Sequence, residues 1–184
     1  MAEALGLGPI AFTARYQHQR ALYDRGDLGA AEYWSAVAGG PGDLARELLA
    51  KLRKWDVEIW SDVDDRMVGW LDRVRAAGFK TALLSNMHAD MAAHARRAFD
   101  WIQRLDCVVL SCEVRLTKPG RGIYERCLEL LATRPAETLF IDDRQPNVAA
   151  ASTVGLATLR FESIEGLRSD LANMGFPVLP EPRR

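Results

Sequence analysis

Four short apolar runs set the architecture of the last two thirds of this chain: "KTALLS" (80–85), "CVVLS" (107–111), "TLFID" (138–142) and "LATLRF" (156–161). Helix-patterned segments separate them, near residues 88–99, 120–132 and after Pro146, and a last one spans 164–174. Ahead of the first run, Val63, Met67, Trp70, Leu71 and Val74 mark an amphipathic helix capped by Ser61 or Asp62 and closed by Gly78. Apolar strands alternating with crossover helices imply an α/β, Rossmann-like parallel sheet with helices on both faces. In such sheets ligands sit beyond the carboxyl ends of the strands, so those ends are where chemistry is expected.

The first 60 residues carry a different pattern. Pro9 suits a first helical position, and Phe12, Tyr16, Gln19 and Tyr23 recur on one face until "DRGD". Asp27 is placed to cap a second helix bearing Tyr33, Trp34 and Val37, and "GGPGD" precedes a third with Leu44, Leu48, Leu49 and Leu52. The expected organisation is a helical region over 1–60 and an α/β region over 61–184. At 184 residues and 48% apolar composition, the chain can bury roughly 70% of its unfolded surface without staples.

A net charge of −1 from 24 basic and 25 acidic residues, well mixed, gives no electrostatic case for nucleic acid or an anionic membrane. The cysteines, Cys107, Cys112 and Cys127, lack metal-ligand spacing and read as reduced thiols. With no run of about 20 apolar residues and no signal-peptide pattern, the expected location is cytoplasmic.

Three strand-end features bear on function. Ser85-Asn86 suits either a helix cap or a turn that donates to phosphate oxygens. Lys118, held extended by Pro119, reads either as a solvated lysine or as a cation for an anionic ligand. Asp142-Asp143, at the end of an apolar run, cannot both stay ionised cheaply without a cation or a shared proton. The hard oxygens suit magnesium; a helix-capping acid beside a solvated one is the alternative.

In this order the three features resemble the haloacid dehalogenase superfamily of hydrolases. "LLSN" is similar to its second motif, "TKPGRGIYERCLELL" to its third and "TLFIDDRQPNVAAASTVGLATL" to its fourth. The detail resembles the phosphatase-like branch with a helical cap, matching the helical start here. The resemblance implies that Ser85 binds the phosphoryl group with Asn86 assisting, and that Lys118 offsets charge between phosphate and nucleophile. It further implies that Asp143 ligates Mg2+ directly, Asp142 supports it, and Asn147 stands behind both. The substrate would be a small phosphorylated metabolite, hydrolysed through an aspartyl-phosphate.

One part of that family pattern is missing. The nucleophile belongs to a D-x-D strand preceding the cap, and no such strand opens this chain. Asp62-Val63-Asp64 mimics the motif, but the helical period running on to Val74 makes it a helix start. The chain is therefore expected to be inactive by that mechanism, with a non-catalytic ligand- or partner-binding homologue as the alternative. By resemblance the absent strand lies between the strands ending at Ser85 and Asp142, and its loss leaves two unpaired edges. Three arrangements stay open: a protein that starts upstream of Met1, direct pairing of the flanking strands, or a homodimer covering the gap. Substrate choice is expected to fall to the helical region, where Tyr16, His18, Arg20 and Trp34 each read first as packing or surface residues and otherwise as substrate contacts, while His88 and His94 read as capping or surface groups.

Overall fold

The computed structural model describes residues 1–40 and 42–176. Position 41 of the "GGPGD" stretch and the proline-rich tail beyond 176 lie outside the described residues. Contacts divide the chain into two units: Met1–Asp62 with Ser85–Asp100 and Leu110–Thr117, and Val63–Leu84 with Trp101–Val109 and the chain from Lys118 onward.

Helices fill the first unit: α1 (Pro9–His18), α2 (Arg20–Arg25), α3 (Ala30–Ala38), α4 (Arg46–Glu58) and α6 (Ala89–Ala98), with the one-turn α7 (Ser111–Val114). Its core gathers Tyr16, Tyr23, Tyr33, Trp34, Val37 and Leu52. Burying each ring stabilises the unit by on the order of 3 kcal/mol. The expected face from Phe12 to Tyr23 is not one helix. Gln19 leaves helical backbone (φ −114°, ψ 13°) and starts α2 afresh. Periodicity misses the break because Tyr16 and Tyr23 both still point inward. Nor does Asp27 cap α3. Gly29 holds that position, with its N–H bonded to Glu32 Oε2 at 2.9 Å, and Asp27 pairs with Arg25 instead.

The second unit is the α/β part. α5 (Asp65–Ala76) opens on Asp64, whose carboxylate accepts the Arg66 N–H at 2.9 Å and is clasped by the same residue's guanidinium at 3.0 and 2.7 Å. The cap is thus Asp64 rather than Ser61 or Asp62, and Val63 lies exposed before the helix. At its other end Gly78 takes φ +87°, letting Gly78 N–H reach Arg75 O and Phe79 N–H reach Val74 O. Trp70 and Val74 from α5 meet Leu167 and Leu171 from α10 (Ile164–Asn173) over Leu139, Ile141 and Leu159.

Four strands form where the apolar runs stand: β1 (Ala82–Ser85), β2 (Cys107–Leu110), β3 (Leu139–Asp142) and β4 (Ala157–Arg160). Helices α8 (Arg121–Leu131) and α9 (Gln145–Val154) supply the crossovers on either side of β3. β3 and β4 run parallel, Leu139 opposite Ala157 through Asp142 opposite Arg160. The sheet is not continuous: β1 pairs with β2 and β3 with β4, and among the described residues no ladder joins β1 to β3. Direct closure of the flanking strands is therefore not adopted. The architecture is α/β as expected, with its sheet in two pieces. Among the described residues no helix is long and apolar enough to cross a membrane.

Candidate active site

Lys118 bonds to the end of a strand in each sheet piece. Helix α7 gives way to "LTKPG", where Lys118 and Pro119 stand in a turn with a cis peptide between them rather than in the extended chain expected, and Gly120 is the N-cap of α8. Its ammonium donates to the Leu84 carbonyl at 2.8 Å and to Asp142 Oδ2 at 2.6 Å. Both partners lie at the carboxyl ends of their strands, β1 and β3, so those strands end at the same place. The ion pair is nearly enclosed, the lysine side chain 10% and the aspartate side chain 6% exposed. The ammonium also lies 5.5 Å from the centre of the Phe140 ring.

Asp142 is the hub. Its other oxygen, Oδ1, accepts from Asn147 Nδ2 and from the Arg144 N–H, each at 2.9 Å. Burial alone would raise this carboxyl; the Lys118 hydrogen bond and charge, with the Arg144 and Asn147 donors, outweigh it and hold the group below the ordinary carboxylate range. Asn147 is buried in the first turns of α9, and its carbonyl takes the Tyr124 hydroxyl at 2.9 Å, tying α9 to α8. Burial and the nearby Asp142 charge push that phenol up to about 12. Three of the residues expected from sequence, Lys118, Asp142 and Asn147, are thus brought into one bonded set.

Asp143 is next in chain but exposed, its backbone carbonyl accepting from Arg160 Nε at 3.3 Å. Two adjacent carboxylates therefore divide in role: the buried one is neutralised by lysine, and the exposed one faces outward. An exposed hard-oxygen donor fits magnesium, which takes one or two carboxylates and fills its other positions with water and substrate oxygens. Among the described residues no group of three or more His, Cys, Asp or Glu side chains gathers as a closed metal cage.

Ser85 and Asn86 follow Leu84 directly and belong to the first unit. Both are half-buried. The turn they begin is anchored within that unit by the next two residues. Met87 N–H donates to Ser111 Oγ at 2.9 Å, and that hydroxyl donates to the Asp24 carbonyl at 2.5 Å. His88 is fully buried, without a side-chain capping bond, stacked on Tyr23 at 4.6 Å and 10°. His88 does hold the N-cap position of α6, but it is not a surface group: its ring is buried in a continuous stack with Tyr23 and Tyr33.

Sequence reasoning missed the buried polar network around that stack. Asp56, fully buried on α4, accepts from Tyr16 OH at 2.5 Å and from Arg20 Nη1 at 3.0 Å. Arg20 Nε also donates to Asp24 at 2.8 Å, and His88 Nε2 lies 3.2 Å from Asp56 but out of line for a hydrogen bond. Arg20, Tyr16 and Trp34, first considered for substrate choice, are taken up by this core, while His18 is exposed. The signal was present: Leu48, Leu52 and Asp56 share one helical stripe, and an acid on a buried stripe demands a buried cation.

Comparisons with known proteins identify the family. The sesquiterpene phosphatase astK of Aspergillus oryzae is 27% identical over 173 residues, covering 86% of this chain and 88% of that protein. (S)-2-haloacid dehalogenase 1 of a Pseudomonas strain is 33% identical over 97 residues, which cover 53% of this chain and 43% of the dehalogenase. The mouse acyl-CoA dehydrogenase family member 10 is 32% identical over 109 residues, only 10% of its length. The chain thus spans less than half of these last two relatives. A HAD family enzyme from Bacteroides thetaiotaomicron, solved in complex with magnesium and inorganic phosphate, superposes with a TM-score of 0.66 at 19% identity, over 88% of this chain and 84% of that one. A family model described as haloacid dehalogenase-like hydrolase matches residues 2–155. With its motifs standing at the ends of the strands and the match covering most of the sequence, the chain belongs to the haloacid dehalogenase-like hydrolases.

Proposed function

We propose that this chain carries the phosphoryl- and magnesium-binding half of a phosphatase site for a small phosphorylated metabolite, without the nucleophile that completes it. The observation that carries the reading is Lys118, held between the Leu84 carbonyl and Asp142 at 2.8 and 2.6 Å. Ser85 and Asn86 bind phosphate oxygens, Lys118 offsets their charge, Asp142 with Asn147 holds the lysine in place, and Asp143 ligates the metal. When bound, magnesium supplies positive charge to the phosphate oxygens. This reading assigns the exposed Asp143 carboxylate to a cation, which favours a metal-using phosphatase over a dehalogenase. The similarity to a protein named as a phosphatase, over most of both chains, supports the same choice.

Charge counting makes the reading testable. Lys118 is already paired with Asp142, so on this reading the charge of a phosphate dianion is offset mainly by magnesium at Asp143. Orthophosphate alone should leave the melting temperature unchanged, and orthophosphate with millimolar magnesium should raise it. At 100 times the dissociation constant the gain is about 2.7 kcal/mol. Equal stabilisation with and without magnesium would remove the metal from the reading, and none under either condition would remove the phosphate. p-Nitrophenyl phosphate should not turn over, because neither Asp64, a helix cap bound to Arg66, nor Asp142, paired with Lys118, is available to attack phosphorus.

We also propose that a second copy of the chain covers the edges that β1 and β3 leave unladdered. Exposed strand edges template pairing with another chain. Sedimentation should give a dimer at micromolar concentration; a monomer up to 100-fold higher concentration would refute it.

A further inference from the structure

We propose that Ser111 is a positioning residue that holds the Ser85–Asn86 turn in its phosphate-binding shape. The proposal rests on the phosphoryl-binding reading above and adds to it a residue outside the strand-end motifs.

β1 ends on Ser85, and three residues of non-helical chain, Asn86 to His88, follow before α6 begins at Ala89. A phosphate-binding turn needs its hydroxyl and its backbone N–H aimed together, and short polar turns do not hold such aim unaided. Here the aim is set from elsewhere in the chain. Ser111 is fully buried at the first position of α7 and makes a relay through one oxygen. It accepts the Met87 N–H at 2.9 Å and donates its single proton to the Asp24 carbonyl at 2.5 Å; the Met87 carbonyl lies 3.3 Å away. A hydroxyl has one proton and two acceptor sites, so this placement uses it almost fully. The residue after Asn86 is thereby fastened to the last turn of α2, 87 positions from Ser111 in sequence.

The surroundings make the fastening stiff. α2 ends at Gly26 with φ +80°, and a Cβ there would stand 3.1 Å from the Cys112 carbonyl, so α2 and α7 approach at backbone contact. Asp24 is itself held by Arg20, and Arg20 by Asp56. On the far side of the turn, His88 is clamped in the ring stack with Tyr23 and Tyr33. The turn is pinned at Met87 by hydrogen bond and at His88 by packing, leaving Ser85 and Asn86 as the part that meets ligand. Removing the Ser111 hydroxyl takes away the acceptor of the part-buried Met87 N–H and the donor to the buried Asp24 carbonyl at once, which favours any rearrangement of the turn that re-satisfies them.

The test uses the 184-residue chain with orthophosphate and magnesium, read by calorimetry, together with hydrogen exchange over residues 85–88. Ser111→Ala should weaken phosphate binding about tenfold, near 1.4 kcal/mol, and speed exchange at Met87 while far-ultraviolet circular dichroism stays unchanged. Ser111→Thr, which keeps the hydroxyl, should restore most of the affinity; Ser111→Cys, which keeps the volume but donates weakly, should behave like alanine. Unchanged affinity in the alanine and cysteine variants, with wild-type chain binding normally, overturns the proposal and leaves the phosphoryl reading intact. Weakened binding in all three variants including threonine also overturns it, since the hydroxyl would then not be the cause. A wild-type chain that takes no phosphate overturns the phosphoryl reading and this inference together.

Discussion

Replacing Lys118 with alanine should lower unfolding free energy by about 3 kcal/mol, the low end for removing one partner of a buried ion pair. For a chain of this size the melting temperature falls by about 10 °C. The low end applies because Asp142 is not left bare: Arg144 N–H and Asn147 Nδ2 still bond its Oδ1. What is lost is the cation that, against burial, keeps the carboxyl ionised. In the variant Asp142 should therefore titrate upward, so part of the loss is recovered as pH falls and the carboxyl takes up a proton, a component that the wild type lacks. Asp142→Asn placed on the Lys118→Ala background should recover about half of the loss, because a neutral amide no longer needs the ammonium. The urea midpoints of the wild type, both single variants and the double variant close the cycle. Additive effects would mean that the 2.6 Å contact carries no coupling and that Lys118 is not held by Asp142. The phosphate and magnesium response should vanish in Lys118→Ala even at temperatures where the chain remains folded.

This cycle concerns a pairing that sequence reasoning placed only loosely. The strand end at Asp142 was legible because Leu139, Phe140 and Ile141 cannot be solvated and the acids after them cannot be buried cheaply. Gly78 marked the end of α5 for an equally local reason, its φ of +87°. Asp142 and Lys118 stand 24 positions apart, and no local pattern couples them. Sequence order made one a metal support and the other a phosphate cation; geometry makes them partners first. The helix caps failed more narrowly. Asp27 has the side chain a cap prefers, but Arg25 takes its carboxylate, and Gly29 caps α3 because Glu32 reaches back to its N–H. At α5 three acids compete within four residues, and Asp64 wins by clasping Arg66 as well as the backbone. The buried network of Arg20, Asp56 and His88 was the largest omission, since its members come from α2, α4 and the turn after β1. Long-range polar pairing inside a core leaves only a hint, an acid where an apolar residue should be.

That network should make the chain acid-sensitive in a window where its carboxylates are not. His88 is fully buried, and burial is the largest influence on it, lowering its pKa from the ordinary 6.5 to about 4. Asp56 and Asp90 pull the other way, and Arg20 and Arg53 reinforce the fall. The faces around the ring are otherwise filled by Tyr23 stacked against it. Between pH 6.5 and 4 the unfolded chain binds a proton at this position that the native chain does not. Stability is thus complete above about pH 6.5 and declines as pH falls through that interval, by about 3 kcal/mol at its lower end at 1.36 kcal/mol for each unit of difference. The carboxylates lowered by partners, Asp142, Asp90 and Asp106, lose their contribution only as pH drops below their unfolded value near 4. The two effects separate on the pH axis. Urea denaturation at half-unit steps from pH 7.5 to 4 should show the decline in the wild type. His88→Phe keeps a ring against Tyr23 and removes the titrating nitrogens, so its stability should be flat from 7.5 to about 4.5. Parallel curves for the two proteins would assign the acid sensitivity elsewhere. Because His88 is three residues from Ser85, protonation that drives the ring from its stack also frees the turn, and magnesium-dependent phosphate binding should weaken over the same interval in the wild type alone.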